Sequence, residues 1–307
     1  QILIAIRVED YGGYGGIKQP VRIGDSPQAV MTESQYVTWL ADSHSSWPMP
    51  AWAKGGPTAW TMAGRPGAAD ETLLSSNGAI APWATAPTAQ AFIYDHAEMK
   101  LASGDPYETR FWLTNDYLPI PQWKWGAFGV DVHNILFADA DGSAVHWNIS
   151  LHNQSDKERE LTVLVLVRPF AINQAVSPIC TIATEDAERL WINGDLFMFS
   201  ETSVTQTGVG LLEEAMAAAL DGTVPPKTMI TSAPAGNGAA VFAYRLQLEP
   251  DGDEAILLSF PDELGEGLSD SLSDHDNLIA AAVAEWDQAI GVVGLDLPDN
   301  LVEQGTM

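Results

Sequence analysis

The chain has 307 residues, and 41 acidic against 14 basic side chains give it a formal net charge of −27 at pH 7. Such a surplus of carboxylates argues against binding to nucleic acid or to an anionic membrane surface, because both need clustered Lys and Arg. Apolar residues make up 46% of the sequence, including eleven Trp, nine Phe and seven Tyr. This composition excludes a disordered polyanion, because it can bury a large core.

The length suits one large β-rich domain, which we expect to extend over residues 1–290. Cys180 is the single cysteine, so the chain can form no intramolecular disulfide. No apolar run reaches the roughly 18 residues that a membrane-spanning helix needs. The start at Gln1 and the end at Met307 lack structural start and stop signals, and we expect both to lie inside a longer protein.

The N-terminal third predicts one strand followed by long loops. Ile2–Val8 has the composition of a strand, and the four glycines between Tyr11 and Gly16 indicate a loop. The stretch between about residues 40 and 90 is rich in Trp, Pro and Gly and has no sustained periodicity. We expect it to form long loops across the face of a sheet.

The central third has the pattern of an antiparallel meander. Val145, Trp147 and Ile149 alternate with polar residues, which is typical of a half-buried strand. The run Leu161–Val167 is apolar on both faces, so we expect this strand to lie between two layers. The predicted strands are Tyr107–Leu113, Gly129–Ala138, Ala144–His152 and Leu161–Phe170.

The C-terminal third combines strands with two helices. Asn193-Gly194 is typical of a type I′ hairpin turn within Leu190–Phe199. Gly210–Leu220 and Asp276–Ile290 predict helices, and Ala239–Leu248 and Glu254–Phe260 predict strands. The expected fold class is therefore mainly β: an antiparallel β-supersandwich with a few helices, including one near the C-terminus.

Two of the six histidines, His133 and His146, are candidates for catalysis. A hairpin turn at residues 139–142 would place His133 opposite about Asn148 and diagonal to His146, at roughly 7–8 Å. A histidine pair on a sheet face is similar to the pair in sugar epimerases of this type of sandwich, but the glutamate base that they require cannot be identified. The alternative is that both histidines are ordinary polar residues of the sheet.

We expect neither a metal nor another cofactor. Asp139-x-Asp141-Gly142 could begin a calcium loop, but the later ligands of such a loop are missing, so a hairpin turn is the preferred interpretation. The chain has no Walker loop, no His-Glu-x-x-His motif and no complete dinucleotide fingerprint.

Aromatic residues surround a Pro-rich segment, residues 118–125, which we interpret as a turn leading into the meander. Flat apolar rings suit the faces of sugars. The sequence therefore predicts a carbohydrate-binding surface formed by Trp112, Tyr117, Trp123 and Trp125. The alternative is that most of these rings belong to the core.

A longer pattern combines four segments of the chain. They are Phe111-Trp-Leu-Thr114, Pro119-Ile-Pro-Gln-Trp-Lys-Trp125, His152-Asn-Gln-Ser-Asp-Lys-Glu-Arg-Glu-Leu161, and Val167-Arg-Pro-Phe170 with Asn173. The pattern resembles the N-terminal β-supersandwich, a galactose-mutarotase-like domain, of bacterial six-hairpin glycosidase-like proteins. The likeness spans about residues 107–300. It departs at residues 174–179, where relatives commonly have Pro-Pro-Trp-Gln and this chain has Gln-Ala-Val-Ser-Pro-Ile.

The resemblance implies a function as well as a fold. In that family the supersandwich precedes an (α/α)6 barrel that holds the catalytic carboxylates, so residues 291–307 would be a linker toward a barrel domain of the same parent chain. The chain itself would be a non-catalytic module that packs on the barrel of a glycoside hydrolase or phosphorylase-like protein and shapes its sugar cleft. The structural motif would be Arg168, Pro169, Phe170 and Asn173, with Arg168 donating hydrogen bonds to loop carbonyls.

Two alternatives remain open. One is a self-contained mutarotase-type sugar epimerase that uses His133 or His146. The other is a structural assembly module whose aromatic loops bind other proteins.

Overall fold

The computed structural model describes residues 30–291, except 45–46, 55, 57, 69–70, 106–107, 140–143, 174–175 and 262–274. The predicted strand Ile2–Val8, the predicted loop Tyr11–Gly16 and residues 292–307 of the predicted linker lie outside the described residues.

Three α-helices and seventeen strands lie within this part of the chain. The helices are α1 (Glu33–Ser43), α2 (Leu212–Leu220) and α3 (His275–Gly291). The strands are β1 (Trp60–Ala63), β2 (Thr72–Ser75), β3 (Ile80–Ala81), β4 (Thr88–Asp95), β5 (Lys100–Ala102), β6 (Arg110–Thr114), β7 (Leu118–Ala127), β8 (Val130–Ala138), β9 (Ala144–Asn153), β10 (Arg159–Arg168), β11 (Ile182–Glu185), β12 (Arg189–Ile192), β13 (Asp195–Ser200), β14 (Gln206–Leu211), β15 (Met229–Ile230), β16 (Gly238–Leu248) and β17 (Asp253–Pro261).

The described strands form two antiparallel sheets that pack as a sandwich. The eight-stranded sheet has the order β1-β2-β3-β4-β10-β16-β14, with β5 added beside β4. The nine-stranded sheet has the order β15-β11-β12-β13-β17-β9-β8-β7-β6. The predicted fold class, a mainly β antiparallel supersandwich with a few helices, one of them near the C-terminus, is confirmed.

Strand β10 is buried on both faces. Val163 and Val165 point into the core between the two sheets, where they share a cluster with Trp147 of β9. Leu164 and Leu166 point the other way, into a second cluster that includes residues of α1 and α2. The expected position of this strand between two layers is confirmed, and the helices supply the outer layer.

Helix α1 was not predicted from the sequence. It begins after Thr32, whose side chain accepts a hydrogen bond from the Gln35 backbone N–H while the Gln35 side chain accepts one from the Thr32 N–H. This reciprocal arrangement is a capping box and satisfies two donors at the start of the helix. Tyr36 and Leu40 then lie fully buried on the outer face of the eight-stranded sheet.

Helix α3 covers part of the outer face of the nine-stranded sheet. Ala282 is buried against Ile120 of β7 and Phe137 of β8. The indole N–H of Trp286 donates to the carbonyl of Gly64 at 3.0 Å. The predicted apolar stripe is therefore correct as far as Trp286, whereas Ile290, which was expected in it, is 37% exposed.

Two predictions in the N-terminal half need correction. Residues 118–125, predicted as a turn, belong to β7. Before Gln122 this strand pairs with β6 alone. Fewer backbone N–H groups are needed there for hydrogen bonds to a neighbouring strand, so Pro119 and Pro121, which have no N–H, are tolerated. Between residues 40 and 90 the chain forms β1, β2, β3, the beginning of β4 and a short 3-10 helix at Ala51–Lys54, and the strands extend the eight-stranded sheet.

The net charge of −27 predicts that stability depends on salt. Repulsion among the surplus carboxylates weakens as ions screen them, so we expect Tm to rise by about 3 °C or more between 10 mM and 500 mM NaCl. Differential scanning calorimetry measures this rise, and KCl should reproduce it because screening does not depend on the identity of the cation. A Tm that is indifferent to salt would contradict the prediction.

Candidate functional site

Trp112 stands on the outer face of the nine-stranded sheet, on β6 opposite Gln122 of β7. It is 37% exposed, and one face of its indole stacks on the imidazole of His133, with the ring centroids 5.4 Å apart and the planes 13° from parallel. His133 Nε2 lies 2.9 Å from Gln122 Oε1. These three side chains form one connected patch, which we call the Trp112 surface.

The hydrogen bonds of the Trp112 surface assign the tautomer of His133. Gln122 Nε2 donates to Thr114 Oγ1 at 2.8 Å, so Gln122 Oε1 is an acceptor and His133 Nε2 is the donor. Burial lowers the pKa of His133 below its usual value, and the charge of Lys124 lowers it further. The imidazole is therefore neutral at pH 7, with Nδ1 as an acceptor. An indole face beside neutral hydrogen-bonding groups suits a polyhydroxylated ligand.

The other predicted binding aromatics occupy different environments. Tyr117 is 53% exposed, and its hydroxyl donates to Asp287 Oδ1 of α3 at 2.7 Å, which raises the pKa of Tyr117. Trp123 and Trp125 are almost completely buried in the core between the sheets, where Trp123 stacks on Trp147. Trp123 and Trp125 therefore belong to the core, which was the alternative interpretation of the sequence. Sugar binding remains a prediction for Trp112 and Tyr117.

A groove at the open edge of the sandwich adjoins the Trp112 surface. It has a volume of about 320 Å³ and lies between β1, β2 and the edge strand β6. Phe111, which neighbours Trp112 on β6, lines it and is 39% exposed. Its other walls include Thr61, Leu74, Ser76 and Pro121. This edge groove combines apolar rings with hydroxyl groups.

His146 lies in a buried polar cluster with two carboxylates. Its Nε2 is 2.7 Å from Asp139 Oδ1, and its Nδ1 is 2.7 Å from Ser259 Oγ and 3.6 Å from Glu201 Oε1. Ser259 Oγ also donates to Glu201. Burial disfavours the imidazolium, but the hydrogen bonds and negative charges of the two carboxylates outweigh it and raise the pKa of His146 to about 9. The cluster is therefore a charged, hydrogen-bonded unit inside the fold.

The predicted pairing of His133 with His146 is wrong. His133 stands opposite Ser150, and His146 stands opposite Phe137. The histidines are thus four positions apart along β8, roughly 13 Å at the rise of a strand. The β8–β9 hairpin pairs Ala138 with Val145, so its centre lies one residue later than predicted. This shift places His133 opposite Ser150, two residues beyond the predicted partner Asn148.

The predicted structural motif lies at the end of β10. Arg168 is buried; its Nη1 donates to the carbonyl of Pro48 at 2.6 Å, and its Nη2 donates to Gln90 Oε1. The guanidinium also lies over the ring of Phe170, 5.0 Å from its centroid. Pro169 accepts a hydrogen bond from the backbone N–H of Ser177, whereas Asn173 is exposed. Arg168, Pro169 and Phe170 thus make contacts that stabilise the end of β10, whereas Asn173 faces solvent.

Sequence reasoning missed several members of these sites. Glu201 lies 55 residues from His146 in sequence, and no motif connects the two, so the glutamate beside a candidate histidine could be found only from the structure. Thr88 and Gln90, which lie near Arg168, belong to a region that was predicted to be loop. Their alternation on β4 was the available signal.

Within the described residues, no group of three or more His, Cys, Asp or Glu side chains is arranged to hold a metal ion. In that same part of the chain, no helix has both the length and the apolar character needed to cross a membrane.

Comparisons with known proteins identify structural neighbours. The chain matches no protein-family model and no curated protein sequence. A bacterial glucoamylase, solved in complex with acarbose, superimposes with a TM-score of 0.54 at 12% identity, over 78% of this chain and 39% of the glucoamylase. A protein named as a candidate kojibiose phosphorylase, from the human microbiome, matches 76% of this chain and 28% of its own, at 8% identity and a TM-score of 0.34. The chain therefore spans about two-fifths of the glucoamylase, and it has the β-sandwich fold of the matching part.

Proposed function

We propose that the chain is a non-catalytic, carbohydrate-associated supersandwich module of a larger glycoside hydrolase or phosphorylase-like protein. Its fold corresponds to 39% of a glucoamylase that was solved in complex with acarbose. The observation that carries the proposal is the Trp112 surface, where a partly exposed indole lies beside neutral hydrogen-bonding side chains. These are the groups that bind the apolar face and the hydroxyls of a sugar ring.

The edge groove supports the same proposal. Its volume of about 320 Å³ is at the lower end of the range of small-molecule sites, which suits a short length of oligosaccharide. Phe111 and Trp112 are consecutive residues of β6, so their rings point to opposite faces of the strand and border the groove on both sides. A sugar chain lying across the edge of β6 would contact both rings.

Replacing Trp112 by Ala should weaken oligosaccharide binding about tenfold, because an aromatic contact of this kind contributes about 1–1.5 kcal/mol. Isothermal titration calorimetry with maltooligosaccharides measures the change. Trp191→Ala is the matched control, since Trp191 is another partly exposed indole on the nine-stranded sheet, on β12. Equal affinities for the wild type and Trp112→Ala would remove Trp112 from the site.

We further propose that an (α/α)6 barrel of the same parent chain packs against this module. The fraction of the glucoamylase that the chain matches, 39%, is consistent with a second, larger unit. Sequencing the gene beyond the codon for Met307 tests the proposal. Several hundred further residues with repeated amphipathic helix pairs would support it, and a stop codon near Met307 would refute it.

One observation favours the mutarotase-type alternative, namely that Glu201 lies beside His146. A general acid or base must come within hydrogen-bond reach of the sugar, and the side chain of His146 is completely buried. This burial counts against catalysis by His146. His133, at the Trp112 surface, is the histidine that a sugar can approach, and it has no carboxylate partner among the described residues.

A further inference from the structure

A pocket of about 310 Å³ lies where the end of β10 meets the segment Pro48–Trp52. Arg168, Thr88 and Gln90 contribute to its wall from the outer face of the eight-stranded sheet. Trp52 contributes from the short 3-10 helix, held by a hydrogen bond from its indole N–H to the carbonyl of Ala171 at 3.1 Å. We call this cavity the Arg168 pocket.

The guanidinium of the pocket has no counter-ion among the described residues. Arg168 is 1% exposed, and its hydrogen bonds go to the neutral oxygens of Pro48 and Gln90. Its Nε has no hydrogen-bond partner in the part of the chain that the structure describes. Burial without a compensating carboxylate lowers the pKa of Arg168 to about 9. An unpaired buried charge is costly, so a group that neutralised it would stabilise the fold.

Two hydroxyl groups of the same pocket also lack partners within the described residues. They are Thr58 Oγ1 and Thr88 Oγ1, and both are shielded from bulk water. Thr88 stands directly opposite Arg168 in the register of β4 and β10, so the two side chains lie next to each other on one face of the sheet. The residues that line the pocket therefore carry three polar atoms, Arg168 Nε, Thr58 Oγ1 and Thr88 Oγ1, that can donate hydrogen bonds and have no acceptor among the described residues.

We propose that the Arg168 pocket binds the oxyanion of a small ligand, either a carboxylate or a phosphate. Such a group accepts hydrogen bonds from Arg168 Nε and from the two threonine hydroxyls, and it neutralises the guanidinium. Ordered water would satisfy the hydroxyls but would leave the charge unpaired. The one acidic residue among the described lining residues, Asp105, is exposed, so solvent screens its charge.

The ring of Trp52 gives the remainder of the ligand an apolar wall. The pocket volume leaves room for a compact ring bearing the anionic group, for example a sugar acid or a sugar phosphate. The pocket shares Ser75 and Ser76 with the edge groove. The inference still does not depend on the proposed function, because it rests on Arg168, Thr58 and Thr88, which do not line the edge groove, and concerns a charged ligand.

Anion binding can be measured as the rise in Tm of the wild-type chain at constant ionic strength, with NaCl as the balancing salt. The probes are inorganic phosphate, acetate, glucuronate and glucose. A rise with phosphate alone identifies a phosphate site, and a rise with acetate and glucuronate identifies a carboxylate site. No response to any anion, or a response to glucose equal to that to glucuronate, would overturn the proposal.

Thr88→Val provides the sharpest variant. It preserves the shape of a buried threonine and removes a hydroxyl that has no partner, so the unfolding free energy without anion should stay the same or rise. Its anion affinity should fall about threefold or more. Arg168→Met should abolish the anion response, and Thr88→Val keeps the proposal testable if Arg168→Met does not fold.

Thr72→Val is the matched control. Thr72 is also a buried threonine of the eight-stranded sheet, but its hydroxyl donates to the carbonyl of Pro82 at 2.8 Å. This variant should lose stability and keep the wild-type anion affinity. An anion affinity that falls equally in both variants would contradict the assignment of the site.

Discussion

Replacing His146 by Gln should destabilise the protein by about 3 kcal/mol at pH 6, and this difference should vanish progressively as the pH rises to 10. The pKa of His146 is about 9 in the folded chain, against an ordinary value of 6.5. A raised pKa contributes stability that is fully present below pH 6.5 and is lost as the pH rises through 9. The 2.5-unit difference corresponds to about 3 kcal/mol. Urea denaturation of both proteins at pH 6, 8 and 10 measures this effect.

The control is His152→Gln, since His152 also contacts two carboxylates, Asp251 and Asp253, but in an exposed position. Exposed ion pairs contribute little, so this variant should change the unfolding free energy by less than about 1 kcal/mol. If the loss in His146→Gln is as large at pH 10 as at pH 6, the imidazolium is not what stabilises the cluster.

Replacing Asn153 by Ala should cost about 3 kcal/mol at any pH. Asn153 is completely buried at the end of β9, and its Nδ2 donates to the carbonyls of Lys157, Leu248 and Glu249 at 2.8–3.0 Å. Its Oδ1 accepts from the backbone N–H of Ser155. Each orphaned group costs about 1 kcal/mol, and the bonds to Leu248 and Glu249 also connect one sheet to the other. Chemical denaturation gives the change directly.

Two further variants separate the donor from the acceptor role. Asn153→Asp keeps the acceptor oxygen but turns a second oxygen toward the three carbonyls, so it should destabilise at least as much as Ala. Ser155→Ala removes one hydroxyl that donates to Asn153 Oδ1 and to the Lys157 carbonyl, so its cost should be nearer 1 kcal/mol. If Asn153→Asp were as stable as the wild type, the hydrogen bonds donated by Asn153 Nδ2 would not be what stabilises this part of the fold.

The Asn153 network explains part of the sequence pattern that led to the fold. The run Asn153-Gln-Ser155 is recognisable because one buried amide must serve several backbone groups at the crossing between sheets. Arg168 marks a second such point, where a buried guanidinium joins the end of β10 to Pro48 and Gln90. Both positions need a side chain that can make several hydrogen bonds at once while it is buried.

Regular strands could be predicted because their environment is regular. In β9, Trp147 and Ile149 alternate with polar residues, and the structure places both in the core between the sheets. The last helix was predictable for the same reason, since its apolar residues recur at helical spacing. The Asn193-Gly194 turn has positive φ angles of 54° and 102°, which these two residue types tolerate.

The rest of the fold depends on information that local patterns do not contain. All eight residues of β4 are buried, and polar and apolar residues alternate only over its first four positions, so the strand has no sustained alternation. The register of β8 and β9 depends on where the intervening turn closes, and an error of one residue there separated His133 from His146. Helix α1 did have a local signal, the Thr32–Gln35 capping box, which its weak apolar pattern obscured.

The four aromatic residues that the sequence predicts as a binding surface fall into two groups in the structure. Trp112 and Tyr117 are exposed as a binding surface requires, whereas Trp123 and Trp125 fill the core. The distinction follows from strand alternation: Trp123 and Trp125 point inward from β7, whereas Gln122, one position before Trp123, points outward to His133. Treating residues 118–125 as a turn concealed this alternation.

Two histidines that looked equivalent in the sequence lie in different environments. His146 is surrounded by Asp139, Ser259 and Glu201 and serves stability, as the pH dependence of the His146→Gln variant would show. His133 lies under Trp112 and orients its indole. A mutarotase-type mechanism would need carboxylates such as Asp139 and Glu201, which lie beside His146, to lie beside His133 instead.

One proton NMR experiment on this chain with a maltooligosaccharide tests most directly whether the chain is a non-catalytic module that binds sugar. It follows the anomeric signals over several hours and records saturation transfer from protein to sugar. A non-catalytic module that binds sugar should give saturation transfer to the sugar rings that is much weaker in Trp112→Ala, with no new reducing ends and no acceleration of anomer exchange. New reducing ends, faster anomer exchange or the absence of saturation transfer would contradict this proposal.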